Sequence, residues 1–418
     1  MHKNRLPVVL LGGDHGALSL ARSLGVASIP VYVINDPDSE VRYSRFCRWV
    51  TLPTGGSTPE SWAEYLLGRG SDYLRGAVLL AASDEAIEFI GEHRQPLSDK
   101  FRLDISNPVA QRCMLDKLCT YRAAQAAGIP IPRYWVADNR EDVERLRPEL
   151  VFPLVLKPIL GHTYSRKFTS AYTVAANFEE LLTAFEAVDC AGIRTVLVEM
   201  IPGPDDCLCS YYTYLDEHGN HLVNFTKRVI RRYPMNMGGA TYHITDHVPD
   251  IQELGLALFR QVELRGVANV EFKLDRRDGK LKLIECNARF TAADSLLVAS
   301  GLNLPLFVYT RLIGQTQQPP SVYRNGMRLW KPVADFAAYR QLNKLGMLTL
   351  GEWIRSIMHP QIFPVFRWND PLPSVVSNAR LIKHLFSLLL RPSKRSRSVD
   401  PSQQQPPSLR RVPASPFK

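Results

Sequence analysis

The stretch KLKLIECNARF, residues 280–290, begins with the alternating pattern of a β-strand and ends in polar side chains. Glu285, Asn287 and Arg289 stand at every second position of this strand end. Side chains two residues apart on a strand lie on the same face, so one face presents a carboxylate, an amide and a guanidinium side by side. We interpret this combination as a site that binds ions, because a core face would continue with apolar residues.

The segment GVANVEFKL, which precedes this stretch, predicts a second strand, and the Gly-containing connection predicts a β-hairpin. A three-residue turn at 277–279 would place Arg276 opposite Lys280 and, further along, Glu271 opposite Glu285. Two carboxylates about 4 Å apart repel each other by about 4 kcal/mol at an effective dielectric constant of about 20. A divalent cation removes the repulsion, and Mg2+ prefers hard oxygen ligands shared with substrate phosphates. The hairpin therefore predicts a magnesium site; a surface hairpin with solvated charges is the alternative.

Two lysines and a further strand end supply what a phosphate-binding site would also need. Lys157 follows the apolar strand FPLVL, so its stem is expected to be buried, and Lys117 follows MLD. A buried lysine of this kind is either paired or functional. The strand end VEMIPGPDD, residues 198–206, offers free backbone groups for an adenine edge, followed by acids for a ribose hydroxyl.

Composition and charge restrict the class of protein. The 418 residues are 45% apolar and 22% charged, which is typical of a soluble globular protein of two or three domains. No apolar run reaches the roughly 18 residues of a membrane span, and the short apolar run near the N-terminus predicts no signal peptide. Residues 391–418 contain seven Lys and Arg and one Asp, which is +6 of the net charge of +10. The excess charge therefore belongs to a tail and argues against a nucleic-acid partner.

The seven cysteines show neither a CxxC motif nor the spacing of a zinc site. They predict buried free thiols in a reducing compartment, and the expected location is the cytoplasm. The apolar helix pattern ARLIKHLFSLLLR and the basic residues after it suggest a second hypothesis, namely weak peripheral contact of residues 379–397 with the inner face of the membrane. Packing of this helix on the body of the protein is the alternative.

The first hundred residues alternate strand and helix patterns, which predicts a parallel sheet. The motif GGDHG, residues 12–16, has the position but not the spacing of a dinucleotide fingerprint, so a tight turn is the favoured interpretation. One helix is predicted from 107 to a stop at Gly128. The segments that follow predict antiparallel pairs, with His243 as either a base or a core histidine with satisfied hydrogen bonds. The domain prediction is 1–110, 111–316, a helical extension 317–391 and a disordered basic tail 392–418.

Five segments, in the order MLDK, FPLVLKP, VEMIPGPDD, GVANVEFKL and LIECNAR, resemble the ordered motifs of the ATP-grasp superfamily, which includes D-alanine–D-alanine ligase and carbamoyl-phosphate synthetase. The match covers roughly residues 113–315. The segments VRYSRFCRWV and LLAASDEAIEFI are similar to the pre-ATP-grasp domain of predicted carboxylate–amine ligases, and FRWNDPLPSV is similar to their C-terminal end. The resemblance implies a Rossmann-like α/β pre-ATP-grasp domain followed by an α+β ATP-grasp domain of two lobes.

The resemblance also implies ATP and Mg2+, with Mn2+ as an alternative ion, and a role for each matching residue. Those implied to contact ATP are Lys117 and Lys157 at the phosphates, Glu199, Met200 and Ile201 at the adenine, Asp205 at the ribose and Leu283 against the base. Those implied to bind metal are Glu271, Glu285 and Asn287. Those implied to act in catalysis are Arg289 at an acyl phosphate and Lys227, Arg228 and Arg231 near the γ-phosphate or an acidic substrate.

The predicted phosphate loop departs from the family pattern, since ILGHTYSRKFTSAY contains only Gly161 and backbone amides approach phosphate closely where side chains are small. Ser165 and Arg166 are predicted to make side-chain contacts instead. The resemblance implies a ligase that joins a small-molecule carboxylate and an amine, such as amino acids or envelope precursors, through an acyl phosphate. The alternatives are a catalytically weak ATP-binding regulatory or scaffold protein and a nicotinamide oxidoreductase that uses GGDHG.

Overall fold

The structure, a computed structural model, describes residues 5–53, 55–161, 168, 171–315, 317–320 and 322–389, with side chains up to residue 382. The predicted tail 392–418 lies outside these ranges. The helices in the described ranges are α1 (His15–Val26), α2 (Pro59–Leu67), α3 (Asp84–Glu92), α4 (Arg94–Ser98), α5 (Pro108–Leu115), α6 (Lys117–Ala126), α7 (Arg140–Leu146), α8 (Phe178–Cys190), α9 (Pro249–Gln261), α10 (Asp294–Ser300), α11 (Leu304–Leu312), α12 (Pro332–Lys344), α13 (Leu350–Ile357) and α14 (Leu372–Leu389).

The N-terminal part forms a parallel sheet in the strand order β3-β2-β1-β4. Its strands are β1 (Val8–Leu11), β2 (Val31–Ile34), β3 (Arg48–Trp49) and β4 (Val78–Ala81). All four residues of β1 are apolar and buried, as expected for a parallel strand that is covered on both faces. The predicted alternation of strands and helices is confirmed here.

The predicted single helix from 107 to Gly128 is instead two helices, α5 and α6. Asp116 between them has an extended backbone and caps α6, since its carboxylate accepts a hydrogen bond from the Cys119 N–H at 2.8 Å. Aspartate competes with the helix interior by bonding nearby backbone groups, which is why the prediction of one helix was wrong. The break places Lys117 at the first position of α6, where its N–H donates to the Ile159 carbonyl at 3.0 Å.

The break also corrects the prediction for two of the cysteines. Cys113 on α5 and Cys119 on α6 form a disulfide, with their Cα atoms 5.2 Å apart. The other five cysteines are free thiols, and three of them, Cys207, Cys209 and Cys286, are buried. The sequence pattern missed the pair because only the turn at Asp116 brings the two helices together.

A small antiparallel sheet follows, in the order β5-β8-β6-β7. Its strands are β5 (Tyr134–Trp135), β6 (Leu154–Pro158), β7 (Thr173–Ala175) and β8 (Thr195–Glu199). This sheet has a separate hydrophobic core. It contains Leu156 from β6, Val143 from α7 and Phe185 from α8. The sheet and its two helices therefore form a separate lobe of the protein.

The largest sheet has the order β13-β12-β9-β10-β11-β14-β15. Its strands are β9 (Leu208–Leu215), β10 (Phe225–Tyr233), β11 (Gly239–Thr245), β12 (Gly266–Asp275), β13 (Lys280–Asn287), β14 (Arg328–Trp330) and β15 (Gln361–Ile362). The strands β9 to β13 pair antiparallel as predicted. The segment 317–391, predicted as helical, contains α12, α13 and α14 but also contributes β14 and β15, which are too short to show an alternating pattern.

The register of the β12–β13 hairpin differs from the prediction at the turn and agrees with it at the carboxylates. Asp275, rather than Arg276, pairs with Lys280, so the turn has four residues. A register shift next to Glu271 then adds one residue to β13, and Glu271 pairs with Glu285 as predicted. Such a bulge leaves an extra residue without a partner, and the two deviations from the predicted register cancel.

Two buried ion pairs attach the C-terminal segment to the rest of the protein. The fully buried Asp335 of α12 accepts two hydrogen bonds from Arg231 of β10, each 2.8 Å long, and one each from the indole N–H groups of Trp330 and Trp353. Arg22 of α1 pairs with Asp370 at 2.8 Å, and both side chains are 1% exposed. These contacts connect the end of the chain to both the largest sheet and the N-terminal sheet.

Helix α14 begins on the N-terminal part of the protein. Ser377 donates to Glu40 at 3.2 Å, and Arg380 contacts both Asp38 and the ring of Tyr43. This half of the helix therefore packs on the body, while membrane contact of residues 379–397 stays a prediction. Among the described residues, a single helix with the length and apolar composition of a membrane span is absent, and only α10 and α11, bent by 92°, meet that criterion as a pair.

We expect the substitution Asp335→Asn to lower the free energy of unfolding by roughly 3–5 kcal/mol, because it leaves the buried guanidinium of Arg231 without its counter-charge. Asp246→Asn is the matched control, since Asp246 pairs with Arg228 on the same strand but is 33% exposed, and a solvated pair contributes about 0–1 kcal/mol. Urea unfolding of both variants measures the difference. Equal losses would show that Asp335 does not hold the C-terminal segment in place.

Candidate functional site

A cleft of about 940 Å³, partly open to solvent, separates the small antiparallel sheet from the largest sheet. Lys117, Lys157, Glu271 and Glu285 line it together. These residues come from α6, β6 and the β12–β13 hairpin, so three segments that are far apart in sequence converge on one space. The structure thus brings together the carboxylates and lysines that the sequence predicted as one site.

The carboxylates Glu271 and Glu285 face each other across the hairpin. Two residue pairs further along, the Asn287 amide N–H donates to the Asn269 side-chain oxygen at 3.1 Å. Glu271 accepts a hydrogen bond from the Ser210 hydroxyl at 3.3 Å. The predicted metal ligands Glu271, Glu285 and Asn287 therefore belong to two alternate residue pairs of one hairpin.

Lys117 provides the positive charge nearest to this pair. Its ammonium lies 2.7 Å from a carboxylate oxygen of Glu285. Burial opposes ionisation of Glu285, but the charges of Lys117, Lys157 and Arg289 outweigh it and lower the pKa of Glu285 to about 2. The carboxylate is therefore ionised at neutral pH and available to a cation.

Two further lysines of the cleft are held with little solvation. Burial lowers the pKa of Lys157 to about 8, and its ammonium donates to the Tyr121 hydroxyl and the Ile284 carbonyl, both at 3.3 Å. Burial likewise lowers the pKa of Lys273 to about 8. Lys273 was missed by the sequence analysis, although its position two residues after Glu271 on one strand indicates the same face. Desolvated ammonium groups of this kind are the ones that gain most from a bound anion.

An apolar slot lies beside the lysines. Its walls include Val155, Leu208 and Ile284 in addition to Ile201 and Met200. Glu199, Met200 and Ile201, which were predicted at the adenine, all line the cleft. The carboxylate of Glu199 is turned away, since it is 5% exposed and pairs with Arg277 at 2.6 Å.

Leu283 does not line this slot, contrary to the prediction. It is fully buried in the core beneath the largest sheet. Ile284 lines the slot instead, because the bulge next to Glu271 changes which residue of β13 faces the cleft. Strict alternation along the strand cannot show this.

Asp205, predicted at the ribose, is not among the residues that line the cleft. Its carboxylate is buried and accepts the backbone N–H of Asn236 at 3.1 Å. Asn236 itself lines the cleft, and its side-chain oxygen accepts a hydrogen bond from Lys273 at 3.1 Å. In this conformation Asp205 supports the wall of the cleft.

The predicted cationic cluster on β10 is not one cluster. Lys227 is 2% exposed and donates to the Ser210 hydroxyl at 2.9 Å, which links it to Glu271. Arg228 pairs with Asp246 at 2.7 Å and Arg231 is held by Asp335, so neither joins the carboxylates. Register shifts on both sides of Arg231 interrupt the alternation of β10, and the residue that lines the cleft is the neighbouring Arg232.

Arg289 lies at the end of β13, where it meets the N-terminal part of the protein. Its Nε donates to Asp84 of α3, and its Nη1 donates to the Phe290 carbonyl at 3.2 Å. Nη2 makes no hydrogen bond to a residue that the structure describes. The predicted residues Ser165 and Arg166 lie outside the described residues.

The residues of the hairpin fit a hydrated magnesium ion better than a metal held entirely by protein. Within the described ranges, no group of three or more His, Cys, Asp or Glu side chains is placed to hold a metal. Glu271, Glu285 and the amide of Asn287 offer hard oxygen atoms from only three side chains, and Mg2+ typically takes one or two carboxylates and completes its shell with water and phosphate oxygens. The donor set therefore fits Mg2+ bound together with a phosphate compound.

The sequence is similar to those of two known ligases. The chain is 26% identical over 318 residues to D-aspartate ligase from Enterococcus faecium (strain Aus0004), a match that covers 72% of this chain and 75% of that protein. It is 22% identical over 200 residues to D-alanine–D-alanine ligase from Thermoanaerobacter sp. (strain X514), which covers 44% of this chain and about half, 53%, of that protein. No protein-family model matches the chain.

Two solved structures have a similar fold. L-amino acid ligase from Bacillus licheniformis superposes with a TM-score of 0.55 at 18% identity, over 74% of this chain and 75% of that one. The biotin carboxylase domain of 2-oxoglutarate carboxylase from Hydrogenobacter thermophilus, solved with MgADP and bicarbonate, superposes with a TM-score of 0.60 at 17% identity, over 78% and 74%. These likenesses in sequence and in fold agree with the resemblance to ATP-grasp carboxylate–amine ligases that the ordered motifs carry.

We expect Lys157→Met to raise the free energy of unfolding at pH 7 by roughly 1–3 kcal/mol, because it removes a poorly solvated charge. The native pKa of about 8 lies below the value of 10.5 for an unperturbed lysine, so the unfolded state binds more protons between these values. The free energy of unfolding of the original protein should therefore rise with pH across this window. The difference in free energy of unfolding between Lys157→Met and the original protein should shrink accordingly. Urea unfolding at pH 7 and pH 10 tests this.

Lys344→Met is the control, since Lys344 is exposed on α12 and its loss should leave the stability and its pH dependence nearly unchanged. If Lys157→Met exceeds the original protein in free energy of unfolding by the same amount at pH 7 and pH 10, Lys157 is not a desolvated lysine.

Proposed function

We propose that this protein is an ATP-dependent carboxylate–amine ligase. The observation that carries the proposal is the facing pair Glu271 and Glu285 in a cleft that also holds the ammonium groups of Lys117 and Lys157. Oxygen ligands for a divalent cation and positive charges for phosphates converge there, which is the combination that MgATP requires. The similarity to D-aspartate ligase and to L-amino acid ligase supports a reaction in which an acid and an amine are joined.

The cleft would hold ATP with its base in the apolar slot and its phosphates at the lysines. Ile201, Ile284 and Leu208 would enclose the base, and the backbone at 199–201 would meet its polar edge. Lys117 and Lys157 would neutralise phosphate charge, and their distance from bulk water strengthens that attraction. The predicted contribution of Ser165 and Arg166 remains part of the proposal.

Glu271, Glu285 and Asn287 would hold Mg2+, which when bound neutralises the phosphates and orients the γ-phosphate for transfer. The ion pair between Lys117 and Glu285 then has to be exchanged, with Lys117 turning to a phosphate. In the absence of nucleotide this pair keeps the carboxylates from repelling each other. Mn2+ remains a prediction.

In the proposed reaction a carboxylate oxygen of the acid attacks the γ-phosphorus of ATP, and the bond to the β,γ-bridging oxygen breaks to give an acyl phosphate and ADP. The amine nitrogen then attacks the acyl carbon, loses a proton and expels inorganic phosphate, which leaves an amide. Arg289 would stabilise the charge on the acyl phosphate through the N–H groups that do not bond Asp84 or Phe290. The similarity to D-aspartate ligase and to L-amino acid ligase supports small-molecule substrates such as amino acids. Envelope precursors and a location in the cytoplasm stay predictions.

We expect the purified chain, given ATP, Mg2+ and a panel of amino acids and amines, to release phosphate only when both an acid and an amine are present. Glu285→Gln should lower that rate by about 100-fold or more, because Mg2+ loses a ligand and the transferring phosphate loses several kcal/mol of stabilisation. Coupled measurement of phosphate and ADP follows the reaction.

Glu253→Gln, on the exposed face of α9, removes one carboxylate away from the cleft and should leave the rate unchanged. Binding of MgADP without phosphate release from any acid and amine would contradict the ligase and favour the regulatory or scaffold protein. Binding of a nicotinamide cofactor in place of ATP would support the third hypothesis.

A further inference from the structure

The face of the largest sheet that carries the carboxylates continues beyond the cleft. Glu271 pairs with Ser210 on β9, Ser210 with Lys227 on β10, and Lys227 with Thr245 on β11. Cross-strand partners share a face, so the row leads from the proposed metal site to β11. The hydrogen bonds from Lys227 to Ser210, 2.9 Å, and from Ser210 to Glu271, 3.3 Å, follow the same line.

His243 lies on this face, two residues before Thr245 on β11. It is 7% exposed, and its Nδ1 is buried without a hydrogen-bond partner among the described residues. The buried ring agrees with the expectation of a core histidine, and a backbone hydrogen bond with Ala240 satisfies it in part. A buried polar atom without a partner is costly and rare, and one that faces a proposed active site indicates a missing ligand.

Lys331 joins His243 on this face from the neighbouring strand. His243 pairs with Leu329 of β14, and the N–H of Lys331, two residues later, donates to the Thr241 carbonyl at 2.8 Å. The side chain of Lys331 makes no hydrogen bond or ion pair with any residue in the described ranges. Three nitrogen-bearing side chains, Lys227, His243 and Lys331, are thus placed side by side by strand register alone.

The electrostatics of the group agree with this geometry. Burial, and then the charges of Lys227 and Lys331, hold the pKa of His243 well below its usual value. Burial also lowers the pKa of Lys331, against the attraction of Asp14, which is exposed. The charges that act on His243 are therefore positive, as in a binding site for an anion.

The N-terminal motif GGDHG lies close to Lys331. Burial, and then the charge of Lys331, lower the pKa of His15, while Glu40 and Asp14 raise it. The same loop touches the segment that follows Arg289, because a Cβ on Gly16 would lie 3.4 Å from the backbone of Thr291. The motif that resembled a dinucleotide turn thus packs against the end of the proposed active site.

We propose that Lys331 and His243 bind a free carboxylate of the acid substrate, and that this substrate is therefore a dicarboxylic compound such as an acidic amino acid. The inference rests on the proposed function, in which the other carboxylate reacts near Arg289. Positive charges at both ends of one sheet face suit a substrate with an anionic group at each end. A bound carboxylate would offset the two ammonium charges beside His243, so the ring could take up a proton and donate from Nδ1.

Calorimetric titration with aspartate, of either enantiomer, and with its two monoamides, asparagine and isoasparagine, tests the inference. Each monoamide retains one carboxylate, so a site for two should bind aspartate at least about tenfold more tightly. Lys331→Met should raise the Kd of aspartate about tenfold, to that of the monoamides, without changing the Kd of MgADP. Lys331→Arg, which keeps the charge, should restore most of the affinity, and Lys344→Met is the matched control.

An unchanged Kd for aspartate in a folded Lys331→Met variant would overturn the inference, as would equal binding of aspartate and its monoamides by the original protein. Tighter binding of phosphoserine than of aspartate would overturn the assignment to a carboxylate. If Lys331→Met does not fold, loss of aspartate affinity in His243→Leu with MgADP affinity retained supports the inference, and retention of both contradicts it. Failure of the original protein to bind MgADP would refute the ATP-dependent reaction, whereas the aspartate titration without nucleotide still tests the carboxylate site.

Discussion

Two like charges held face to face are the constraint around which the structure is organised. Glu271 and Glu285 meet across a hairpin, and each would repel the other strongly without a nearby positive charge. Lys117 supplies that charge, and it can do so only because Asp116 breaks the helix and starts α6 at Lys117. In the proposed function, Lys117 would exchange this carboxylate for a phosphate when a metal ion binds the pair.

The same logic explains why the cleft holds lysines that are poorly solvated. Lys157 and Lys273 have lowered pKa values because they are buried, which costs stability in the absence of an anion. A site that binds a highly charged ligand benefits from this, since the ligand replaces water that is already missing. By contrast, Arg231 and Asp335 are a fully buried ion pair whose remaining hydrogen bonds are made with neighbouring side chains, so this pair stabilises the fold.

Register shifts in two strand pairs determine which side chains reach the cleft. The shift next to Glu271 brings Ile284 to the apolar slot and leaves Leu283 in the core. Shifts around Arg231 separate it from Lys227 and bring Arg232 to the cleft instead. A bulge depends on the partners of a strand rather than on its own residues, so alternation along one strand predicts a face correctly only as far as the next bulge.

The sequence by itself determined the parallel N-terminal sheet, the hairpin, and the facing pair Glu271 and Glu285, because these follow from local apolar periodicity and from neighbours along the chain. Tertiary structure alone decided the partner of Arg289, which is Asp84 from 205 positions away, and the disulfide. It also decided that His243 and Lys331 share one face. Contacts between distant strands arise from how sheets assemble to bury apolar surface and satisfy backbone hydrogen bonds, and a pattern read along one segment contains no record of them.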